Sequence, residues 1–339
     1  MLTGASGFIG SHLASRLVDR GDHLTALVRP ATDASSLESL GVEVVRGDVR
    51  DRRAVELAVG DCQIVYHLAR PKLSDAPSKA ALHSINVEGT ANVARGAARA
   101  GVERLVHCST TAIYGHWIRE EPFREDSPIR PDSPYAQSKV LGEEAVRSHA
   151  GDHLPVVVAR VTTVLGPRSR GWIDLFRSVA ARRLRMIGPG DTHHHPADVS
   201  DIVEGLLLCG SAKGAEGRTY ILAGNEPVLL RNLIQLIAEE LGVRGRPPRA
   251  LPAAPFRLYM LLNDVVRTVA GTSLPRADGV IFHLSNRILD ISRARQELGY
   301  APRVSLPEAI HRTAEWFRTQ GYLPLSGSAA AGSAEHALP

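Results

Sequence analysis

The chain has 339 residues, 44% of them hydrophobic and 22% charged, enough to bury one large α/β domain or two modest ones. Its 40 basic and 36 acidic residues are interspersed, and only Lys72, Lys79, Lys139 and Lys213 are lysine, so the net charge of +4 describes a scattered arginine excess and not the basic stripe a nucleic acid requires. No stretch approaches the roughly 18 to 20 uninterrupted apolar residues of a membrane span, and no charged segment followed by an apolar one opens the chain, so we expect neither a membrane span nor a signal peptide, and a cytoplasmic location.

In chain order, TGASGFIG at Thr3–Gly10 comes first, and Leu13, Leu17 and Val18 then fall at helical spacing up to Gly21. A strand follows at His23–Val28, another in VEVVRGD, a helix at Arg53–Val59 and the strand QIVYHLA. The alternation continues with a helix around Asn86–Ala100, the strand RLVHCST, a helix at Pro134–Ser148 and the strand PVVVAR. Strands alternating with helices predict an α/β fold with a doubly wound parallel sheet of Rossmann type over residues 1–160. Residues 161–322 read as a looser, smaller C-terminal substrate-binding region that returns some elements to the sheet. It has strand-like RMIGPG and TYILAG and helices at Trp172–Ala181, Val199–Leu208 and Leu229–Leu241. GVRGRPPRALPAAP reads as a connector, FRLYMLLNDVVRTVAG as an amphipathic helix, and the aperiodic residues 326–339 as a disordered tail.

Gly4, Gly7 and Gly10 recur every third residue directly before a helix. Such spacing lets the backbone turn sharply, approach a pyrophosphate closely and pack the helix on the sheet, with the helix N-terminus facing the phosphates. In SPYAQSK, Tyr135 and Lys139 are four residues apart and share one helix face. An ammonium there lowers the phenol pKa, while the phenolate takes a hydroxyl proton. Cys62, Cys108 and Cys209 have no metal or disulfide spacing and read as buried thiols. His193, His194 and His195 are consecutive on an extended loop, point in different directions, and read as a polar pocket rim and not a metal site.

Taken together, TGASGFIG, GDVRD, HLA, NVEGT and YAQSK resemble the extended short-chain dehydrogenase/reductase superfamily, the NAD-dependent epimerase/dehydratase family, from Thr3 to about Tyr322. The C-terminal FHLSNRILDISRARQELGYAP is more similar to 3β-hydroxysteroid dehydrogenase-like and dihydroflavonol reductase-like members than to sugar epimerases. The resemblance implies that Gly4, Gly7, Phe8, Ile9, Gly10, Val49, Leu68, Ala69 and Asn86 line a dinucleotide, with Asp48 bonding the adenine amino group. It also implies that Thr110 is the catalytic hydroxyl beside Tyr135 and Lys139, with Ser109 as the alternative. Thr111, Thr163 and His194 are implied at the substrate. Arg29 stands where NAD-preferring relatives carry an acid and suits a 2′-phosphate, so NADP(H) is favoured and NAD(H) stays open.

Relatives usually have more hydrophobic strand before the glycine turn. With only Met1 and Leu2 here, the first strand should be stunted, or the true start lies upstream. In many relatives the helices around Asn86–Ala100 and Pro134–Ser148 pair across a two-fold axis, which implies a homodimer. Sugar dehydratases carry Asp-Glu after the catalytic threonine, where this chain has Thr111 and Ala112, and epimerases carry an arginine near the position of His194. The resulting expectation is an NAD(P)-dependent oxidoreductase acting on a small-molecule secondary alcohol or ketone. Phe256, Tyr259, Met260 and Leu262 favour an apolar substrate. The alternatives are an NDP-sugar 4-epimerase using the same Tyr and Lys with bound NAD, and a non-catalytic dinucleotide-binding protein.

Overall fold

A computed structural model describes residues 1–72, 77–115, 121–150, 153–245, 248–270 and 277–324. The strands β1 (Leu2–Thr3), β2 (Thr25–Val28), β3 (Glu43–Arg46), β4 (Ile64–His67), β5 (Arg104–Thr110) and β6 (Val156–Val161) join Thr219–Leu222 in one seven-stranded sheet. Its order is Thr219–Leu222, β6, β5, β4, β1, β2, β3, with every pairing parallel. Helices α1 (Phe8–Asp19), α2 (Ser35–Ser39) and α3 (Arg52–Val59) follow the first three strands. Next, α4 (Lys79–His83) runs through a π-helical turn, Ser84–Gly89, into α5 (Thr90–Ala100), and α6 (Pro134–Ala150) links β5 to β6. The chain then adds α7 (Ile173–Ala180), α8 (Val199–Ser211), α9 (Leu230–Glu240), α10 (Ala254–Ala270), α11 (Ala277–Leu284), α12 (Ser292–Leu298) and α13 (Leu306–Thr319).

The near-continuous apolar strands arise because both sheet faces are covered. All six residues of β6 are buried. Successive side chains point to opposite faces, so Tyr66 and Val106 join Leu13, Leu17, Ile202 and Leu206 in one core, while Val65 and Leu105 join Val55, Val59, Val93 and Val146 in the other. Local chemistry sets the helix ends. Asp51 caps α3 by accepting from the Arg53 and Ala54 amides, and Gly60 at φ 42° ends it. The two-residue β1 is short, as expected, yet it sits between β2 and β4 with Leu2 and Thr3 fully buried.

Two compact units result. One comprises Met1–Val164, His195–Pro227 and Asn286–Arg303, and the other Leu165–His194, Val228–Ser285 and the chain from Val304. The second unit has its own core of Leu165, Trp172, Phe176, Leu230, Leu233, Ile234, Ile237, Ile310 and Phe317. In it the expected connector departs from the sequence reading: Arg249–Leu251 is a strand paired in parallel with Arg185–Ile187. A neighbouring backbone edge supplies the hydrogen bonds that a Pro/Arg-rich segment does not itself call for. The tail at residues 326–339 lies outside the described residues.

Candidate active site

Beside β1 the connections reverse direction, since β2 and β3 lie to one side and β4 and β5 to the other, which opens a crevice at the carboxyl ends of the strands. The glycine turn occupies that edge. Gly4 has φ +74°, and a Cβ there would lie 2.8 Å from the backbone carbonyl of Leu68, so only glycine permits this approach. A Cβ on Gly10 would stand 2.1 Å from the Gly4 carbonyl oxygen. Gly7 begins α1 in extended conformation with no side-chain cap, leaving the Phe8, Ile9 and Gly10 amides without intrahelical acceptors. Such a cradle fits a diphosphate group.

Around the turn, Asp48 ends the segment after β3 and is held by Arg50 through its backbone amide at 3.0 Å and two guanidinium bonds of 2.8 and 3.0 Å. That pairing keeps its carboxyl below the ordinary range against the opposing effect of burial, and the Arg29 charge adds to the lowering. Arg29 itself is exposed just past β2. The sequence reading missed Asn92, whose side chain donates to the Val49 and Arg50 carbonyls at 3.0 and 3.1 Å and fixes this loop on α5. Val49 is buried, and Gly89 gives it room: a Cβ there would meet Val49 Cγ2 at 2.6 Å.

Where β5 ends, the Thr110 hydroxyl accepts from the Ala112 amide at 3.2 Å and lies beside the Tyr135 phenol, whose pKa it lowers. Thr110 is thus both a turn cap and a neighbour of the tyrosine. Lys139, one turn along α6, is buried and donates from Nζ to the Cys108 carbonyl at 2.7 Å. Burial pushes the Tyr135 phenol above its ordinary value, with Arg70 and the Thr110 hydroxyl pulling it back. The expected lowering by Lys139 therefore does not set the direction, and burial depresses the lysine's own pKa. Arg70, exposed just past HLA, was not singled out from the sequence.

A buried chain of hydrogen bonds ties these parts together. The Leu68 and Ala69 amides donate to Thr3 Oγ1 at 3.2 and 3.1 Å; Thr3 Oγ1 meets His67 Nδ1 at 2.7 Å, and His67 Nε2 meets Thr90 Oγ1 at 2.9 Å. Because Thr90 donates its proton to the Asn86 carbonyl at 2.7 Å, His67 must donate from Nε2 and accept at Nδ1. Asn86 Nδ2 then donates to Ser138 Oγ, which donates to the Tyr135 carbonyl, both at 2.8 Å. The chain runs from the glycine turn to the first turn of α6. His67 is fully buried with its ring centre 5.4 Å from that of His107, and burial holds its pKa down at about 3, so it is neutral.

Ser109 is not interchangeable with Thr110, because its hydroxyl donates to Glu143 Oε1 at 2.6 Å. Glu143 also pairs with buried Arg160 through bonds of 3.0 and 2.8 Å, and Arg160 reaches the Tyr114 hydroxyl at 2.8 Å. This ion pair pins α6 to β6. Among the substrate candidates, Thr111 is buried, Thr163 is exposed with its carbonyl accepting from the Ala197 amide at 3.1 Å, and His194 lies in the second unit. Of the three histidines expected at a polar rim, His193 is half-exposed but the other two are not on a rim. His194 is buried against Phe282 with ring centres 4.6 Å apart, and His195 is buried between the Gly224 carbonyl at 3.0 Å and the Leu289 amide at 3.2 Å. Burial holds the His195 pKa at about 4. All three cysteines are free, but only Cys209 is fully buried.

Among relatives, a sterol demethylase protein B from Methylococcus capsulatus is 30% identical over 95% of this chain and 99% of its own. A 4-hydroxy-2-methyl-3-oxo-4-farnesyl-3,4-dihydroquinoline-1-oxide ketoreductase from Stigmatella aurantiaca is 29% identical over 91% of this chain and 93% of its own. Among solved structures, the NAD complex of a UDP-glucose 4-epimerase from Thermus thermophilus superposes with TM-score 0.72 at 26% identity, covering 94% of this chain and 98% of that one. The family model for the NAD dependent epimerase/dehydratase family matches residues 1–223. With the glycine cradle, the parallel sheet and this match agreeing, the chain belongs to the NAD-dependent epimerase/dehydratase family.

Proposed function

We propose that the protein is an NAD(P)-dependent oxidoreductase that interconverts a secondary alcohol and a ketone. The observation that carries the reading is the placement of the Thr110 hydroxyl beside the Tyr135 phenol, with Lys139 buried one turn away, at the strand edge that also holds the glycine cradle. Gly4, Gly7 and the amides of Phe8 to Gly10 would hold the diphosphate of a nicotinamide dinucleotide, which supplies or accepts the hydride. Asp48, Val49, Leu68, Ala69 and Asn86 complete its surroundings.

Tyr135 exchanges the proton with the substrate oxygen, and Thr110, beside the phenol, holds that same oxygen in line. The nearby Arg70 charge offsets part of the burial that otherwise keeps the phenol protonated. Arg29 is exposed beside Asp48, which favours NADP(H); Arg29→Ala should weaken NADPH binding more than NADH binding. A homodimer through α5 and α6 belongs to the same proposal, with light scattering as its measure.

The substrate we infer is apolar. Two relatives at 29 and 30% identity carry names that refer to a farnesyl-quinoline ketone and to sterols. His194, buried against Phe282, is a poor clamp for a sugar diphosphate. Thr111 and Ala112, in place of an acid pair, do not supply the extra acid and base of a dehydratase. The test is NAD(P)H consumption with a panel of hydrophobic ketones, alongside UDP-glucose, for the wild type and Tyr135→Phe. Turnover of a ketone that drops by about 10²- to 10⁴-fold in the variant supports the reading. UDP-glucose epimerisation without net NAD(P)H consumption assigns the epimerase reaction instead.

A further inference from the structure

Helix α10 is apolar on two sides. Phe256, Tyr259 and Met260 pack with Ala253 against the buried Ile187, Val280 and Leu284, so these three side chains serve a local core. Leu262 does not join them. Leu258, Leu261, Leu262, Val265 and Val269 stand 58, 64, 53, 60 and 83% exposed. Their positions follow the i, i+3, i+4, i+7, i+11 rule, which makes one continuous stripe along the helix. Single exposed leucines are ordinary on a protein surface, whereas a contiguous stripe marks a docking face.

A second observation concerns charge. Arg182, Arg183, Arg185, Arg244, Arg249 and Arg257 are all exposed around the start of α10, and none forms an ion pair with a described carboxylate. They are joined in space: Arg185 lies directly opposite Arg249 in the parallel strand pair, and the Arg182 guanidinium donates to the Arg244 carbonyl. Elsewhere exposed arginines do find acids, as Arg99 does with Glu56 and Arg218 with Glu297. Like charges placed opposite one another in paired strands repel, so this cluster is arranged for an anion that comes from outside the chain.

We propose that this face docks on the surface of an anionic lipid bilayer. The leucine and valine stripe enters the boundary between headgroups and acyl chains, and the arginines meet lipid phosphates. Among the described residues no helix is long and apolar enough to cross a membrane, so α10 would lie along the surface. A second copy fits less well, because an isologous contact through this face would bring two arginine clusters together, while the sequence of α10 offers one acid, Asp264. The proposal rests on the second unit alone and is independent of the chemistry assigned to Tyr135.

The test is sedimentation of the full chain with vesicles of phosphatidylcholine alone and of phosphatidylcholine mixed with phosphatidylglycerol. The expected result is binding to the mixed vesicles, weakened by added salt, with little binding to phosphatidylcholine alone. Leu261→Asp/Val265→Asp should reduce it about tenfold or more, and Arg185→Glu/Arg249→Glu several-fold with loss of the salt dependence. All four exchanged groups are exposed, and circular dichroism melts of each variant check the fold. No binding to the mixed vesicles at low salt, or binding that neither double variant reduces, overturns the proposal. So does a dimer that Leu261→Asp/Val265→Asp converts to monomer without any vesicle binding, which would assign the face to a second copy.

Discussion

Tyr135 sits in a field with opposing contributions. Burial favours the neutral phenol, while the Arg70 guanidinium and the Thr110 hydroxyl favour the phenolate. Removing Arg70 therefore raises the phenol pKa further, because a positive charge that stabilised the phenolate is lost. Arg70→Gln should move the rising limb of kcat/KM for alcohol oxidation to higher pH, while a change in an unrelated structural residue would lower activity at all pH values alike. An unshifted profile would remove Arg70 from the site. At this scale the sequence was informative where motif and spacing coincide, as in Tyr135, Lys139 and the three glycines. It gave no role to His67, Thr90 and Ser138 within their motifs and passed over Asn92, because their partners lie far away in the chain: Thr3 and His67 are 64 residues apart, and Asn86 and Ser138 are 52. Only the folded sheet brings such pairs together.

Among the elements, the glycine turn makes the sharpest claim on sequence. The Gly10 Cβ position lies 2.1 Å from the Gly4 oxygen and 2.7 Å from its carbonyl carbon, and neither is the mobile end of a side chain. Gly10→Ala should cost ~2 kcal/mol or more in urea denaturation and weaken dinucleotide binding together, since the same backbone serves both. Unchanged stability would mean that the turn is looser than described. The parallel strands were legible from their apolar runs and the helices between them from periodicity. Arg249–Leu251 was not, because its pairing with Arg185–Ile187 is tertiary. Helix α13 was overlooked although its start carried a local signal: Ser305 caps the amide of Glu308, three residues on, in the order S-L-P-E. The pre-helical HHHPAD stretch misled for a related reason. Hydrophilic letters suggested a rim, yet His195 has its ring nitrogens engaged by Gly224 and Leu289 and is buried.

For the molecule as a whole, buried neutral histidines make stability depend on pH. His67 is held at about 3 and His195 at about 4, against an ordinary value of 6.5. Both are neutral in the fold, whereas the unfolded chain protonates them below 6.5, so it binds more protons. Their contribution is complete above that value and is lost as pH falls toward the folded values. Urea denaturation should show stability falling by up to ~1.4 kcal/mol per pH unit for each histidine across this window. A flat midpoint would show that these rings are hydrated in the fold. The central claim, that hydride and proton pass between a nicotinamide and an external alcohol or ketone, is tested most directly with NADPH deuterated at the transferring C4 position. With an apolar ketone as substrate, we predict one deuterium per product molecule on the carbinol carbon and one NADPH oxidised per turnover, the rate falling about 10²- to 10⁴-fold in Tyr135→Phe. An epimerised sugar carrying no label from the added cofactor, with NADPH unchanged, would contradict it.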